Sequence, residues 1–224
     1  MKKQEMKKEK NSQKTMSRIF VVFILLSCVI GFSLTASFFT IFKKVEPGNY
    51  VIVDYTLSYE NGAPMISSSQ SVVQRAYQDG YAVALTSPLI LKAGALQTER
   101  ITPVEAYVYP GGMTQYALFD LELDSISTDI LGMSQNDVKK INLEFAQNLT
   151  QNMSSFSYNA IGGNFSETQV GLIVPLAFNY YPDENNSNES VKLERPSVII
   201  DKTDDNIVLR YGYAVADIQI TQIQ

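Results

Sequence analysis

Gly48 to Gly62 reads GNYVIVDYTLSYENG. Within it Val51, Val53, Tyr55, Leu57 and Tyr59 face one way, and Asp54, Thr56, Ser58 and Glu60 are among those facing the other. Successive side chains of a strand point to opposite faces, so period two in β-branched and aromatic residues predicts a half-buried strand. Asn61-Gly62 then supplies a turn in which positive φ costs little. Outward from this stretch the pattern recurs. Ala117, Phe119, Leu121 and Leu123 lie opposite Asp120 and Glu122, and Ile141, Leu143 and Phe145 follow Lys139-Lys140. Val198 to Ile200 and Ile207 to Leu209 predict a hairpin around Thr203 to Asn206, and Ala214, Ala216, Ile218 and Ile220 a last strand. Short strands between turn-rich stretches describe an antiparallel or mixed sheet. Helical spacing is confined to Ser71 to Tyr81 and a turn over Asp129 to Gln135. The runs ALFDLELDSI (117–126) and AVADIQITQI (214–223) echo each other through a shared alternation.

Composition narrows the chemistry. The 224 residues fit one domain with room for an insertion. They include 13 Tyr and 11 Phe but no Trp, no His and one Cys, Cys28. An intrachain disulfide, Ser-His-Asp catalysis, histidine-bound zinc and four-cysteine iron–sulfur sites are therefore excluded. Residues 1–18 hold seven basic and two acidic side chains, a surplus of five, against a chain total of −5. The uncharged run Ile19 to Phe42 is 24 residues long. As a helix it would reach about 36 Å, more than a hydrocarbon layer of roughly 30 Å. The expected organisation is a basic cytoplasmic tail (1–18), a transmembrane anchor (19–42), a spacer (43–49) and an extracytoplasmic domain (50–224). The lipid bilayer is then a partner and the chain a single-pass cell-membrane protein. The acidic remainder repels phosphate and argues against nucleic acid.

Several segments, in order, resemble FKBP-type peptidyl-prolyl isomerases of the archaeal and SlyD-like kind. Gly48 to Gly62 looks like the family's opening strand and NG turn. Pro88-Leu89-Ile90-Leu91 with Gly94 resembles its P-L-x-F-x-x-G segment, Gly132-Met133 with Asp137 to Leu143 its G-M-x-x-G-E-x-K segment, and Tyr211 to Ile223 its last strand. The resemblance implies an α+β fold: a curved antiparallel sheet around a short helix, after the N-terminal transmembrane helix. Residues 148–197 would be an insertion, the substrate-binding chaperone part of SlyD-like relatives. Leu96 to Gln115 has no counterpart. The implied substrate-binding residues are Tyr55, Met65, Ile66, Leu91, Phe145 and Tyr158. Met65 stands at the usual aromatic place and Ile66 at the usual aspartate, which implies weak or absent isomerase activity. Prolyl isomerisation needs only an apolar pocket that favours the twisted amide.

The resulting expectation is a membrane-anchored, FKBP-like protein that binds unfolded or proline-containing polypeptides and assists folding. The alternative is a non-enzymatic cell-envelope binding or structural module. No cofactor is expected. Asp120, Glu122, Asp124 and Asp129 suggest a solvent-facing strand surface, and Asp201, Asp204, Asp205 and Asn206 lack the EF-hand spacing, so no metal site is expected. N-x-Ser/Thr sequons at Asn148, Asn152, Asn164, Asn185 and Asn188 are candidate glycan acceptors in an exported domain.

Overall fold

The computed structural model describes residues 21–30, 43–182 and 190–224. The chain divides into two compact units, Met1–Lys43 and Lys44–Gln224. In the first, residues 21–30 form a helix, α1; the tail at 1–18 lies outside the described residues. Ten helical residues rise about 15 Å, half of a hydrocarbon layer. Among the described residues no helix is long and apolar enough to cross a membrane. This corrects the anchor expected over Ile19–Phe42. The bilayer partner, the single-pass topology and the extracytoplasmic placement rested on that anchor and are withdrawn with it.

The second unit contains, in order, β1 (Tyr50–Ser58), β2 (Pro64–Ser67), α2 (Gln70–Gln78), β3 (Ala84–Thr86), β4 (Leu89–Lys92), β5 (Ile101–Val108), β6 (Gly112–Phe119) and α3 (Asp120–Asp129). Then come β7 (Val138–Asn142), a 3-10 turn (Glu144–Asn148), β8 (Thr150–Ser154), α4 (Ser155–Ala160), β9 (Ile173–Tyr180), β10 (Val191–Lys202), β11 (Asn206–Arg210) and β12 (Val215–Ile223). Among the described residues these strands form one sheet, ordered β7-β12-β1-β2-β3-β5-β6-β10-β11-β8, with β4 also on β1 and β9 on β10. The sheet is mixed, which corrects the antiparallel expectation: β2 runs parallel to β3, and β6 parallel to β10.

β1 sits at the centre because its alternation is real. Val51, Val53, Tyr55 and Leu57 are all buried. One edge of β1 pairs with β12 along its length; the other is shared, with Tyr50–Val53 on β4 and Thr56–Ser58 on β2. At the β1–β2 turn Gly62 has φ +80°, a conformation open to glycine at little cost. The four segments of family-like sequence fall on β1, β4, β12 and the stretch ending in β7, strands joined directly to one another. Leu96 to Gln115 becomes β5 and the start of β6. The 148–197 stretch supplies β8, α4, β9 and much of β10.

The acidic run after Phe119 is a helix, not the strand that its alternation suggested. Glu122 accepts a hydrogen bond from the Phe119 N–H (3.1 Å), and acids in the first turn suit the positive end of the helix dipole. Leu123, Ile126 and Ile130 are buried at i, i+3 and i+7, a period of 3.6 hidden beneath the Leu121/Leu123 alternation. The echo between 117–126 and 214–223 therefore joins a strand-to-helix junction to a strand. α3 packs its apolar stripe into the main core with Val51, Val53, Tyr55, Met65, Ile66 and Ile218. A second cluster joins the inserted region to the β10–β11 hairpin, where Tyr158, Ile199, Ile207 and Leu209 meet Met153, Phe165 and Val174.

Candidate functional site: a tyrosine-lined cleft

Of the expected substrate-binding residues, Tyr55, Met65, Ile66 and Leu91 come together, but as sealed core; none is more than 5% exposed. Tyr55 accepts a hydrogen bond from the Thr86 hydroxyl at 2.8 Å. Burial pushes its pKa up to about 12, against which the Thr86 bond acts weakly. Phe145 stands exposed on the 3-10 turn, and Tyr158 belongs to the inserted cluster, where Thr168 donates to its hydroxyl (3.2 Å). No open groove unites the six.

A buried ion pair helps to close this region. Arg195 of β10 and Glu122 of α3 are in contact, with the guanidinium fully buried. Arg195 also donates to the carbonyls of Ala117 (2.6 Å) and Tyr211 (2.5 Å). Its guanidinium carbon lies 4.1 Å from the Tyr213 ring centroid and 4.8 Å from that of Phe119. Burial opposes the Arg195 charge most strongly, but Glu122, Tyr213 and Tyr59 together outweigh it and the net shift is upward. On the same strand the Pro196 carbonyl accepts from the hydroxyls of Tyr59 (2.8 Å) and Tyr213 (3.5 Å). Each guanidinium nitrogen of Arg195 and each carboxylate oxygen of Glu122 has a hydrogen-bond partner, so the charges are tolerable inside. This arrangement clamps the inserted strand to α3.

The open site lies elsewhere. α2 presents two stripes. Gln70, Val73, Gln74 and Tyr77, at helical i, i+3, i+4 and i+7, line one cavity; Val72, Arg75, Ala76 and Asp79 line another. The first, of about 310 Å³, is completed by Tyr81, Ala82, Val83, Leu85, Tyr107 and Tyr109. It is more apolar than the cavities beside Tyr158, beside Arg75 and beside Glu60. No charged side chain lines it. Its four tyrosines are 42 to 56% exposed. The rings of Tyr77 and Tyr109 make an edge-to-face contact at 85° with centroids 5.1 Å apart. β5 places Tyr107 beside Leu85 of β3 and opposite exposed Met113 of β6.

Sequence reasoning passed over these tyrosines. Tyr77 and Tyr81 at i, i+4, and Tyr107 and Tyr109 at i, i+2, were visible signals. They lay in an unassigned hairpin and a helix judged only for its own periodicity.

The acids between Asp120 and Asp129 have partners. Asp124 accepts from the Gln97 N–H (2.6 Å), Asp129 pairs with Lys139 (2.5 Å), and Asp120 accepts from the Leu121 N–H (2.8 Å). Glu122 is buried, which corrects the solvent-facing surface expected for it. Among the described residues no group of three or more acids, cysteines or histidines could hold a metal. The sequon residues Asn148, Asn152 and Asn164 are exposed. At Asn164 the Ser166 hydroxyl donates to the side-chain carbonyl (2.7 Å). Asn185 and Asn188 lie outside the described residues. The chain matches no protein-family model and no curated protein. With no relative to lend an activity and no membrane-spanning helix among the described residues, the expected membrane-anchored, FKBP-like folding factor is corrected to an α+β domain with a curved mixed sheet.

Proposed function

We propose that this chain is a non-catalytic binding module whose ligand docks in the tyrosine cleft between α2, β3 and β5. The observation that carries this reading is the convergence of Tyr77, Tyr81, Tyr107 and Tyr109 on one open, apolar cavity. Folding ordinarily buries such rings, and a patch of exposed aromatic surface is where binding energy is available. The lining offers only phenols, amides and hydrocarbon, with no carboxylate, amine or thiol to move a proton near neutral pH. Binding is the activity such a surface supports.

Ligand-observed NMR with a set of small ring-bearing and alkylammonium fragments tests this. Contacts are expected with the unaltered chain and are expected to vanish in Tyr77→Leu and Tyr109→Leu. Fragment contacts that persist unchanged in both variants would remove the cleft as the binding site.

A further inference from the structure

We infer that the ligand of this cleft is a small organic cation, carrying a methylated ammonium group; this rests on the cleft being a binding site at all. The face of an aromatic ring carries the negative side of its quadrupole, so a ring face left uncovered attracts a cation placed over it. Tyr77 and Tyr109 stand edge to face at 85° and 5.1 Å, and Tyr81 and Tyr107, both partly exposed, line the same cavity.

Charge placement points the same way. α2 carries Arg75 on the stripe that faces the other cavity, together with Asp79, so the helix keeps its one cation out of the aromatic lining. On β5, exposed Glu105 stands two residues before Tyr107 and so shares its face of the strand, about 7 Å away along the chain. Residues 44–224 hold ten basic and 21 acidic side chains, a net charge of −11. That field draws cations toward the domain and disfavours anions. A neutral apolar ligand would gain burial alone, whereas a methylated ammonium gains burial of its methyl groups and the attraction of the ring faces. Primary ammonium groups are more strongly hydrated and lose more on entry.

The test uses the full chain and two probes of the same shape: choline, and 3,3-dimethyl-1-butanol, in which an uncharged carbon replaces the nitrogen. Titrations are followed through the tyrosine ring resonances by NMR. Choline is expected to bind about tenfold more tightly than the alcohol, the scale of a partly desolvated cation–π contact. Tyr109→Phe, which keeps the ring face, is expected to retain that preference, while Tyr109→Leu loses it. Glu105→Gln is expected to weaken choline about two- to threefold at low salt and to leave the alcohol unchanged. Equal affinity for the two probes overturns the cation assignment but leaves the cleft a binding site. Failure of both probes to move the cleft rings at any concentration overturns both readings. A choline preference that survives Tyr77→Leu and Tyr109→Leu places the cation elsewhere and also overturns the assignment. The two-probe comparison needs no variant, so a substitution that fails to fold does not protect the inference.

Discussion

Tyr55, Tyr59 and Tyr213 are enclosed, whereas Tyr77, Tyr81, Tyr107 and Tyr109 stand half open to solvent in one cleft. The residue type is the same, and the difference lies in what surrounds it. Each enclosed tyrosine has a partner for its hydroxyl: Thr86 for Tyr55, and the Pro196 carbonyl for Tyr59 and Tyr213. A tyrosine whose polar tip is satisfied inside serves as a large core residue. One whose ring is left uncovered becomes a docking face. In this fold Tyr55, Met65, Ile66 and Leu91, which a family resemblance would make a pocket, have become core, and the open apolar surface lies at α2 and the β5–β6 hairpin.

The contrast can be broken most severely at the enclosed end. Arg195→Ala or Glu122→Ala is expected to cost about 3–5 kcal/mol in urea unfolding, because each leaves a buried charge without its partner. The pair Arg195→Met with Glu122→Leu is expected to recover most of that loss, since an apolar pair leaves nothing unpaired. A double variant as weak as the singles would show that the pair's hydrogen bonds to Ala117 and Tyr211, rather than its charge balance, dominate.

Alkali comes next. Burial raises Tyr55 and Tyr116 to about 12, and raises Tyr59 and Tyr213 as well. The folded state therefore holds these protons more tightly than the unfolded chain, whose tyrosines release them near 10. The associated stability is complete below pH 10 and is lost as pH rises toward 12. For Tyr55 the loss approaches about 3 kcal/mol once the pH has passed 12. Absorbance at 295 nm should show part of the phenols ionising only as the circular dichroism collapses. Full ionisation with the fold intact would contradict the sealed core.

A smaller effect is expected in the inserted region. A Cβ at Gly163 would sit within 2.6 Å of Tyr158 Cδ1, so Gly163→Ala must push the ring out of the Ile199–Ile207–Leu209 cluster. Thermal melts should show a loss of about 1–3 kcal/mol. The smallest change is expected at the open end. Tyr77→Leu or Tyr109→Leu should move stability by less than about 1 kcal/mol, since each removes an exposed ring and one edge-on contact. Ligand binding should nevertheless disappear. A large stability loss would reclassify these rings as core.

The central strand was legible because β1 is covered on one face and its period of two is unbroken from Val51 to Leu57. The β10–β11 hairpin and β12 could be read for the same reason. α3 was not, because Leu121 and Leu123 satisfy both a strand and a helix pattern. Glu122 at the third helical position marked the start only for a reader who accepted Phe119 as the preceding cap residue. The Arg195–Glu122 pair joins positions 73 residues apart and leaves no local trace. The cleft was half visible: the tyrosine spacings could be seen, but their convergence depends on β3 and β5 pairing through Leu85 and Tyr107. Nothing local in the sequence encodes that register. The apolar run at 19–42 shows the converse hazard, where composition alone suggested a span that the described helix does not support.

Tyrosine nitration of the native chain, mapped by mass spectrometry, measures the contrast most directly, with exposed Tyr50 and Tyr181 as references outside the cleft. The expected result is modification of Tyr77, Tyr81, Tyr107 and Tyr109 at rates near the references, while Tyr55, Tyr59 and Tyr213 stay protected until the protein unfolds. Rapid modification of Tyr55 in the folded chain, with the cleft tyrosines protected, would contradict the account.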